Sequence, residues 1–295
     1  MKAGHMSASG NAVSLASTGV AGLDSVLRGG LTPDRLYLVE GTPGTGKTTL
    51  GLGFLLAGAA QGEAGLYVTL SETETELRAV AATHGWSLDA LDIVELVPEA
   101  GFGEDQEQTL LHPSEVELGE TVRGVMEKVD ELKPRRVVLD SLSELRLLAQ
   151  SPLRYRRQIL TLKQFFSTRN CTVLVLDDKT ADAGDLQLHS IAHGVISLEQ
   201  ALSGFGAQRR RLHVVKMRGV KFRGGYHDFT IERGGLCVYP RLVAAEHNAP
   251  FLTEAFSTGS AGLDSLLGGG LVPGTSTLLS GPAGVGKTTT AVLSV

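Results

Sequence analysis

The chain is short of cysteine, of aromatic residues and of positive charge, and each shortage narrows what it can be. Among its 295 residues only two are cysteines, Cys171 and Cys237. They lie far apart and form no metal-type pair, so a reducing, cytoplasmic setting is expected. Asp and Glu outnumber Lys and Arg by 32 to 27, which leaves a net charge of −5. Domains that coat nucleic acid usually carry a basic footprint, so nucleic acid is not the expected partner. Trp86 and the five tyrosines form no pattern for stacking bases. No apolar run is long enough to span a bilayer: the most apolar stretch, Leu50 to Ala60, is too short and rich in glycine. The N-terminus has no signal-peptide h-region. No membrane role is expected, and 42% hydrophobic with 20% charged residues is ordinary for a soluble globular protein.

What the chain has in abundance is glycine, 37 residues, much of it in a repeated pattern. Gly41-Thr42-Pro43-Gly44-Thr45-Gly46-Lys47-Thr48 is a P-loop signature, and Gly281, Gly284, Gly286, Lys287 and Thr288 repeat it. The lead-in repeats as well: Ser17-Thr18-Gly19 and Gly22-Leu23-Asp24 return as Ser257-Thr258-Gly259 and Gly262-Leu263-Asp264. The offset from residue 17 to 257 and from 41 to 281 is the same 240 positions. This is a duplicated domain, not a solenoid of short repeats. The expected organisation is a flexible segment 1–16, a complete unit 17–245, a linker 246–256 around Pro250, and the opening of a second unit, 257–295.

Within the complete unit, strands are expected at 35–40, 65–70, 136–140 and 172–177. Helices are expected at 47–61, 73–85, 114–132 and 153–167. Beyond Asp177 the pattern changes to strands at 195–199, 211–217, 228–232 and 236–239 without long helices between them. Residues 101–113 read as an acidic loop. The fold class that follows is α/β: a mostly parallel sheet flanked by helices, with an antiparallel β-rich C-terminal extension.

A P-loop between a strand and a helix is a specific signal. Backbone N–H groups from Gly41 to Thr49 close around phosphate oxygens, Lys47 brings charge to the outer phosphates, and the Thr48 hydroxyl suits Mg²⁺. No guanine-reading Asn-Lys-x-Asp is present, since Asp177-Asp178-Lys179-Thr180 does not fit it, so ATP is favoured. Asp140 closes the apolar strand Val137-Val138-Leu139 and is the second Mg²⁺ candidate. Ser141 and Glu144 have capping-box spacing for the next helix, as do Thr73 and Glu76. Glu72, nearest the end of the second strand, is the candidate general base. The competing reading is that Glu72, Glu74 and Glu76 serve a helix N-terminus, where acids gain about 0.3–1 kcal/mol each; Glu74 and Glu76 are assigned to that role. Arg209-Arg210-Arg211 reads as a solvated basic hairpin. For Lys216, Met217 and Arg218 spacing leaves open a basic hairpin or a site role. His189 and His193 stand four apart, but no third ligand accompanies them and Gly194 ends any helix, so a metal site is not expected.

Taken together these residues resemble the KaiC-type branch of the RecA-like ATPases. The shared pieces are the Ser-Thr-Gly lead-in with Gly22-Leu23-Asp24, the P-loop, the strand end at Glu72, Val-Val-Leu-Asp140-Ser, and Lys216-Met217-Arg218-Gly219 with Phe229-Thr-Ile231 downstream. The resemblance covers about residues 14–245 and implies a RecA-like P-loop NTPase core. It implies a homohexameric ring with ATP between protomers, Lys216 and Arg218 reaching a neighbour's phosphates, and a slow ATPase acting through regulatory protein partners as a timing or signalling switch. It further implies that Ser/Thr autokinase activity belongs only to a full two-domain protein. The chain departs from the family in having Ser71 where a first glutamate is common, and Phe222 where a basic residue or His is common, with Arg223 beside it. Two other functions stay open: a RecA/RadA-like DNA-dependent ATPase, and a non-catalytic nucleotide-gated scaffold.

Overall fold

A computed structural model describes residues 14–96, 113–179, 187–201, 208–243 and 254–294. The expected acidic loop at 101–113 and most of the expected linker lie outside the described residues. The chain divides into two units, Met1–Arg241 and Leu242–Val295.

In the first unit a lead-in helix, α1 (Ala21–Val26), precedes β1 (Leu36–Gly41), α2 (Lys47–Ala59), β2 (Gly65–Thr69), α3 (Glu74–Thr83) and β3 (Leu91–Glu95). Then come α4 (Pro113–Leu132), β4 (Arg136–Asp140), α5 (Leu142–Ala149), α6 (Pro152–Ser167), β5 (Thr172–Asp178) and a short α7 (Gln187–Ile191). Four strands finish the unit: β6 (Gly194–Ala201), β7 (Arg209–Met217), β8 (His227–Glu232) and β9 (Gly235–Tyr239). The nine strands among the described residues join one sheet in the order β3-β2-β4-β5-β1-β6-β7-β8-β9. The first six in that order run parallel and the last three are added antiparallel.

The central strands are buried on both faces, as parallel strands covered by helices must be. Val138, Leu174 and Leu176 face the core under α1, α2 and α3, while Val137, Leu139, Val173 and Val175 face the one under α4, α5 and α6. Expected elements match closely. The sequence reading missed the short helices α1 and α7, and it missed β3, whose Leu-Asp-Ile-Val-Glu is a half-exposed edge with weak alternation. Thr73 and Glu76 form their capping box, and α3 stops at Gly85, which takes φ +76° while the Trp86 amide donates back to the Ala81 carbonyl. The expected box at Ser141 and Glu144 does not form, since the Ser141 side chain makes no capping bond. That junction is tied across the sheet instead: the Ser143 hydroxyl donates to Asp177 (3.1 Å) and accepts from the Asp178 amide (3.1 Å).

The repeated lead-in is a local hydrogen-bonded knot. The Ser17 hydroxyl, the Thr18 amide and the Thr18 hydroxyl all donate to the Asp24 carboxylate, at 2.6, 2.8 and 2.7 Å. Gly19, at φ +80°, lies so close to α2 that a Cβ would stand 2.4 Å from the Gly53 carbonyl oxygen. At Gly22 a Cβ would meet the Val238 carbonyl of β9 at 1.9 Å, so α1 is packed under the last strand.

The second unit builds the same knot from Ser257, Thr258 and Asp264 (2.6, 2.7 and 2.6 Å). Helices α8 (Ala261–Leu266) and α9 (Lys287–Leu293) follow the pattern of α1 and α2. Neither buries a residue, and no strand occurs among the unit's described residues. Leu266 and Leu278 are 85% and 87% exposed, whereas their counterparts Val26 and Leu38 are 0% and 1% exposed. The partners that cover those counterparts, β5, β6 and β9, have no equivalent among the described residues of the second unit. Amide exchange should therefore be slowest in β1, β4 and β5 and faster by orders of magnitude across 275–280, which lack ladder partners. Equal protection of residues 36–41 and 276–281 would contradict this.

Candidate phosphate-binding site

Parallel strands end at one edge of the sheet, and the candidate residues collect there. Gly41 ends β1, and a Cβ on it would lie 2.6 Å from both the Leu198 carbonyl oxygen and the Thr45 hydroxyl. The loop then turns through Gly44 at φ +80° and starts α2 from Gly46 at φ +96°, conformations that suit glycine. The Thr45 hydroxyl donates to the Thr42 carbonyl (2.8 Å), and the Pro43-Gly44 tip is exposed. Lys47 is buried. Its ammonium donates to the carbonyls of Gly41 (2.9 Å) and Thr42 (3.2 Å) and pairs with Asp178 at 2.8 Å. Thr48 donates to Asp140 (3.1 Å), and Thr49 meets His84 Nε2 at 3.3 Å. A Cβ on Gly46 would strike Ile231, so the β8–β9 hairpin closes over the start of α2.

Three carboxyl groups face this loop. Asp140 is buried and accepts from the Tyr67 phenol at 2.5 Å as well as from Thr48. Burial raises its proton affinity, an effect that bonds from Tyr67 and Thr48 only partly offset. Glu72 is held by its backbone, which donates to and accepts from the Thr69 side chain (2.9 and 2.7 Å). Its Oε2 is buried without a hydrogen-bond partner. Desolvation first, then Asp140, Glu76 and Asp178, push the Glu72 carboxyl above its ordinary range, with Lys47 opposing. Asp178 and Tyr67 were not found by sequence reasoning, because their roles come from strand register: Gly41 pairs with Asp178 and Thr69 with Asp140.

Crowded oxygen donors relieved by one lysine suit a hard divalent cation. Thr48 and Asp140 are adjacent, and the partnerless oxygen of Glu72 lies in the same acidic group, so these residues fit Mg²⁺. Among the described residues no group of three or more His, Cys, Asp or Glu is arranged to hold a metal.

Lys216, Met217 and Arg218 are not brought to this edge. Because β7 runs antiparallel, Met217 pairs with Gly194, which pairs with Tyr37, four residues before Gly41. At about 3.3 Å per residue that is roughly 13 Å from the P-loop. The Lys216 ammonium donates to the His189 carbonyl of α7, and Arg218 Nη2 to the Ser190 carbonyl (2.6 Å). Desolvation, and then the charges of Arg218 and Lys163, lower the proton affinity of Lys216. His189 and His193 do not converge: His189 Nε2 binds Glu40 (2.7 Å), and His193 packs edge-on against Tyr37. Arg209 and Arg211 are paired across the sheet with Asp228 and Glu199. Phe222 packs against the core beneath α1, and the Arg223 amide donates to Val26. In the second unit Lys287 repeats the contacts of Lys47 to two loop carbonyls, but is only half-buried.

Sheet order and site geometry define a RecA-like α/β P-loop core. Comparison with known proteins narrows this. The profile described as the KaiC ATPase matches residues 16–243. The chain is 28% identical over 282 residues to the circadian clock oscillator protein KaiC of Parathermosynechococcus lividus, covering 92% of this chain and 50% of that protein. It is 30% identical over 283 residues to the circadian clock protein KaiC2 of a Synechocystis species, covering 93% of this chain and 48% of that one. A UPF0273 protein of Pyrococcus horikoshii is 28% identical over 238 residues, 77% of this chain and 94% of its own length. The chain belongs to the KaiC ATPase family. It spans about half the length of the KaiC relatives it matches. No helix among the described residues is long and apolar enough to cross a membrane.

The raised proton affinity of Glu72 has a stability consequence. Its cost to folding is absent at pH below the unfolded carboxyl value and grows as pH rises through the raised folded one. Glu72→Gln should leave the melting temperature of the nucleotide-free protein unchanged near pH 4 and raise it near pH 8. Solvent screens this half-buried group, so the rise should be no more than about 3 °C. A lower melting temperature at pH 8 would favour Glu72 as a helix-terminus charge.

Proposed function

We propose that this chain binds ATP at the first P-loop and hydrolyses it slowly, each nucleotide lying between two protomers of a homohexameric ring. The ring acts as a timing or signalling switch through regulatory protein partners, a reading motivated by the clock relatives. The observation that carries it is the position of Lys216 and Arg218, a strand length from their own P-loop and so suited to a neighbour's nucleotide.

In this reading the backbone from Gly41 to Thr49 wraps the phosphates and Lys47 turns from its loop carbonyls to the outer ones. Thr48 and Asp140 would hold Mg²⁺, which supplies positive charge to the phosphate oxygens when bound. Glu72 takes the proton of the attacking water, its raised proton affinity bringing it nearer the range of a working base. Lys216, Met217 and Arg218 of a neighbour close the site, and their charge offsets what builds up on the transferred phosphoryl group. Residues 17–245 are the ATPase domain, 246–256 a linker and 257–295 the start of a second such domain. Gly281, Gly284, Gly286, Lys287 and Thr288 are a second P-loop that contributes no turnover here. Autokinase activity would belong to a two-domain protein. An exposed Ser71, where the family often has a glutamate, favours one other reading, a nucleotide-gated scaffold. Multiple-turnover phosphate release distinguishes the two.

Two measurements test the site. Glu72→Gln should retain ATP binding and slow hydrolysis about 10²-fold, the usual scale for a lost general base; a parental rate would place the base elsewhere. Arg218→Ala should bind ATP but lose turnover by about 10³-fold or less, the low end for charge supplied across a boundary. Mixing Arg218→Ala with Lys47→Ala protomers should restore part of the activity, because one mixed interface pairs an intact P-loop with an intact Arg218. No recovery in mixed rings shown to form would refute action across the boundary.

A further inference from the structure

Helix α7 touches both halves of the proposed site, through the carbonyls at its C-terminal end and through the His189 side chain. The carbonyls of His189, Ser190 and Ile191 each receive a cation: Lys216, Arg218 (2.6 Å) and Lys163 (2.7 Å) respectively. Three like charges are thereby held close together; burial first, and then neighbouring positive charge with Arg218 foremost, lowers the proton affinities of Lys163 and Lys216. Backbone carbonyl dipoles offset that repulsion, as they do for cations at helix C-termini generally. Arg218 is exposed, and among the described residues its side chain has one bond, to Ser190, so guanidinium N–H groups remain for a further partner.

The imidazole of His189 points the other way. Its Nε2 donates to Glu40 Oε2 at 2.7 Å, and Glu40 is itself buried. Glu40 is the last residue of β1 before Gly41, whose carbonyl accepts from the Lys47 ammonium. Lys179 braces the same point: its ammonium stands 3.7 Å from Glu40 and its amide donates to the Gly41 carbonyl (3.2 Å). One residue therefore holds the root of the P-loop through its side chain and Lys216 through its backbone.

We propose that His189 is a positioning residue that sets the Lys216–Arg218 cation pair relative to the P-loop strand of its own chain, and so links one nucleotide site to the next around the ring. This rests on the reading that Lys216 and Arg218 act on a neighbour's nucleotide. A loosened His189 lets α7 shift on β1, and the cations it carries move with it. A displacement of about 1 Å in a charge that faces the reacting phosphate can cost up to 10²-fold.

The test is a mutant cycle in single-turnover ATP hydrolysis, with nucleotide affinity and melting temperature measured on each protein. His189→Ala should lower the rate about tenfold and leave ATP affinity within twofold of the parent. His189→Gln, whose carboxamide can still donate to Glu40, should recover most of the rate. In a Lys216→Ala/Arg218→Ala background His189→Ala should cost less than twofold, because the cations through which it acts are gone. The same tenfold loss in both backgrounds overturns the proposal. So does a parental rate in His189→Ala while Lys216→Ala/Arg218→Ala is impaired, and in that case the neighbour reading survives. A parental rate in Lys216→Ala/Arg218→Ala itself removes the neighbour reading and this inference together.

Discussion

The reversal of chain direction between β6 and β7 is the constraint on which the arrangement of the molecule depends. Up to β6 every strand of the sheet runs the same way, so the ends of β1, β2, β4 and β5 deliver Gly41, Glu72, Asp140 and Asp178 to one edge. At β7 the direction inverts, and Lys216 and Arg218 are carried to the opposite edge. The separation is fixed by backbone register through Tyr37, Gly194 and Met217, and no side-chain rotation can undo it. A chain built this way carries the two halves of its proposed site on two different edges, which is the geometry a ring of identical protomers can use.

Electrostatics at the P-loop edge follow from the same convergence. Parallel strand ends bring three carboxyl groups to a place with one buried ammonium, and burial leaves Asp140 and Glu72 reluctant to ionise. A core optimised for stability alone would not gather them. Charge imbalance at strand ends is the usual mark of a site awaiting a charged ligand, and here it suits phosphate with a divalent cation.

Much of this was legible in the sequence, and what was not shares a cause. The P-loop, the apolar strand closed by Asp140, the Thr73 box and the Gly85 stop depend on neighbours a few residues away, and each was read from spacing. The antiparallel end announced itself through strands without intervening helices. By contrast the Tyr67–Asp140 bond spans 73 residues and the His189–Glu40 bond 149. Such contacts are products of sheet order and register, which spacing does not encode. His189 was read only for its relation to His193, when its partner lay in β1. At Ser141 the local pattern misled, because the cross-strand tie from Ser143 to Asp177 and Asp178 fixes the junction. Edge strand β3 escaped notice for want of alternation.

Solution mass with ATP and Mg²⁺ present and absent, followed together with phosphate release over a dilution series, tests the central claim most directly. The account predicts a sixfold assembly with nucleotide and turnover per protomer that falls as dilution separates the rings. A monomer that hydrolyses ATP at a rate independent of concentration would contradict it.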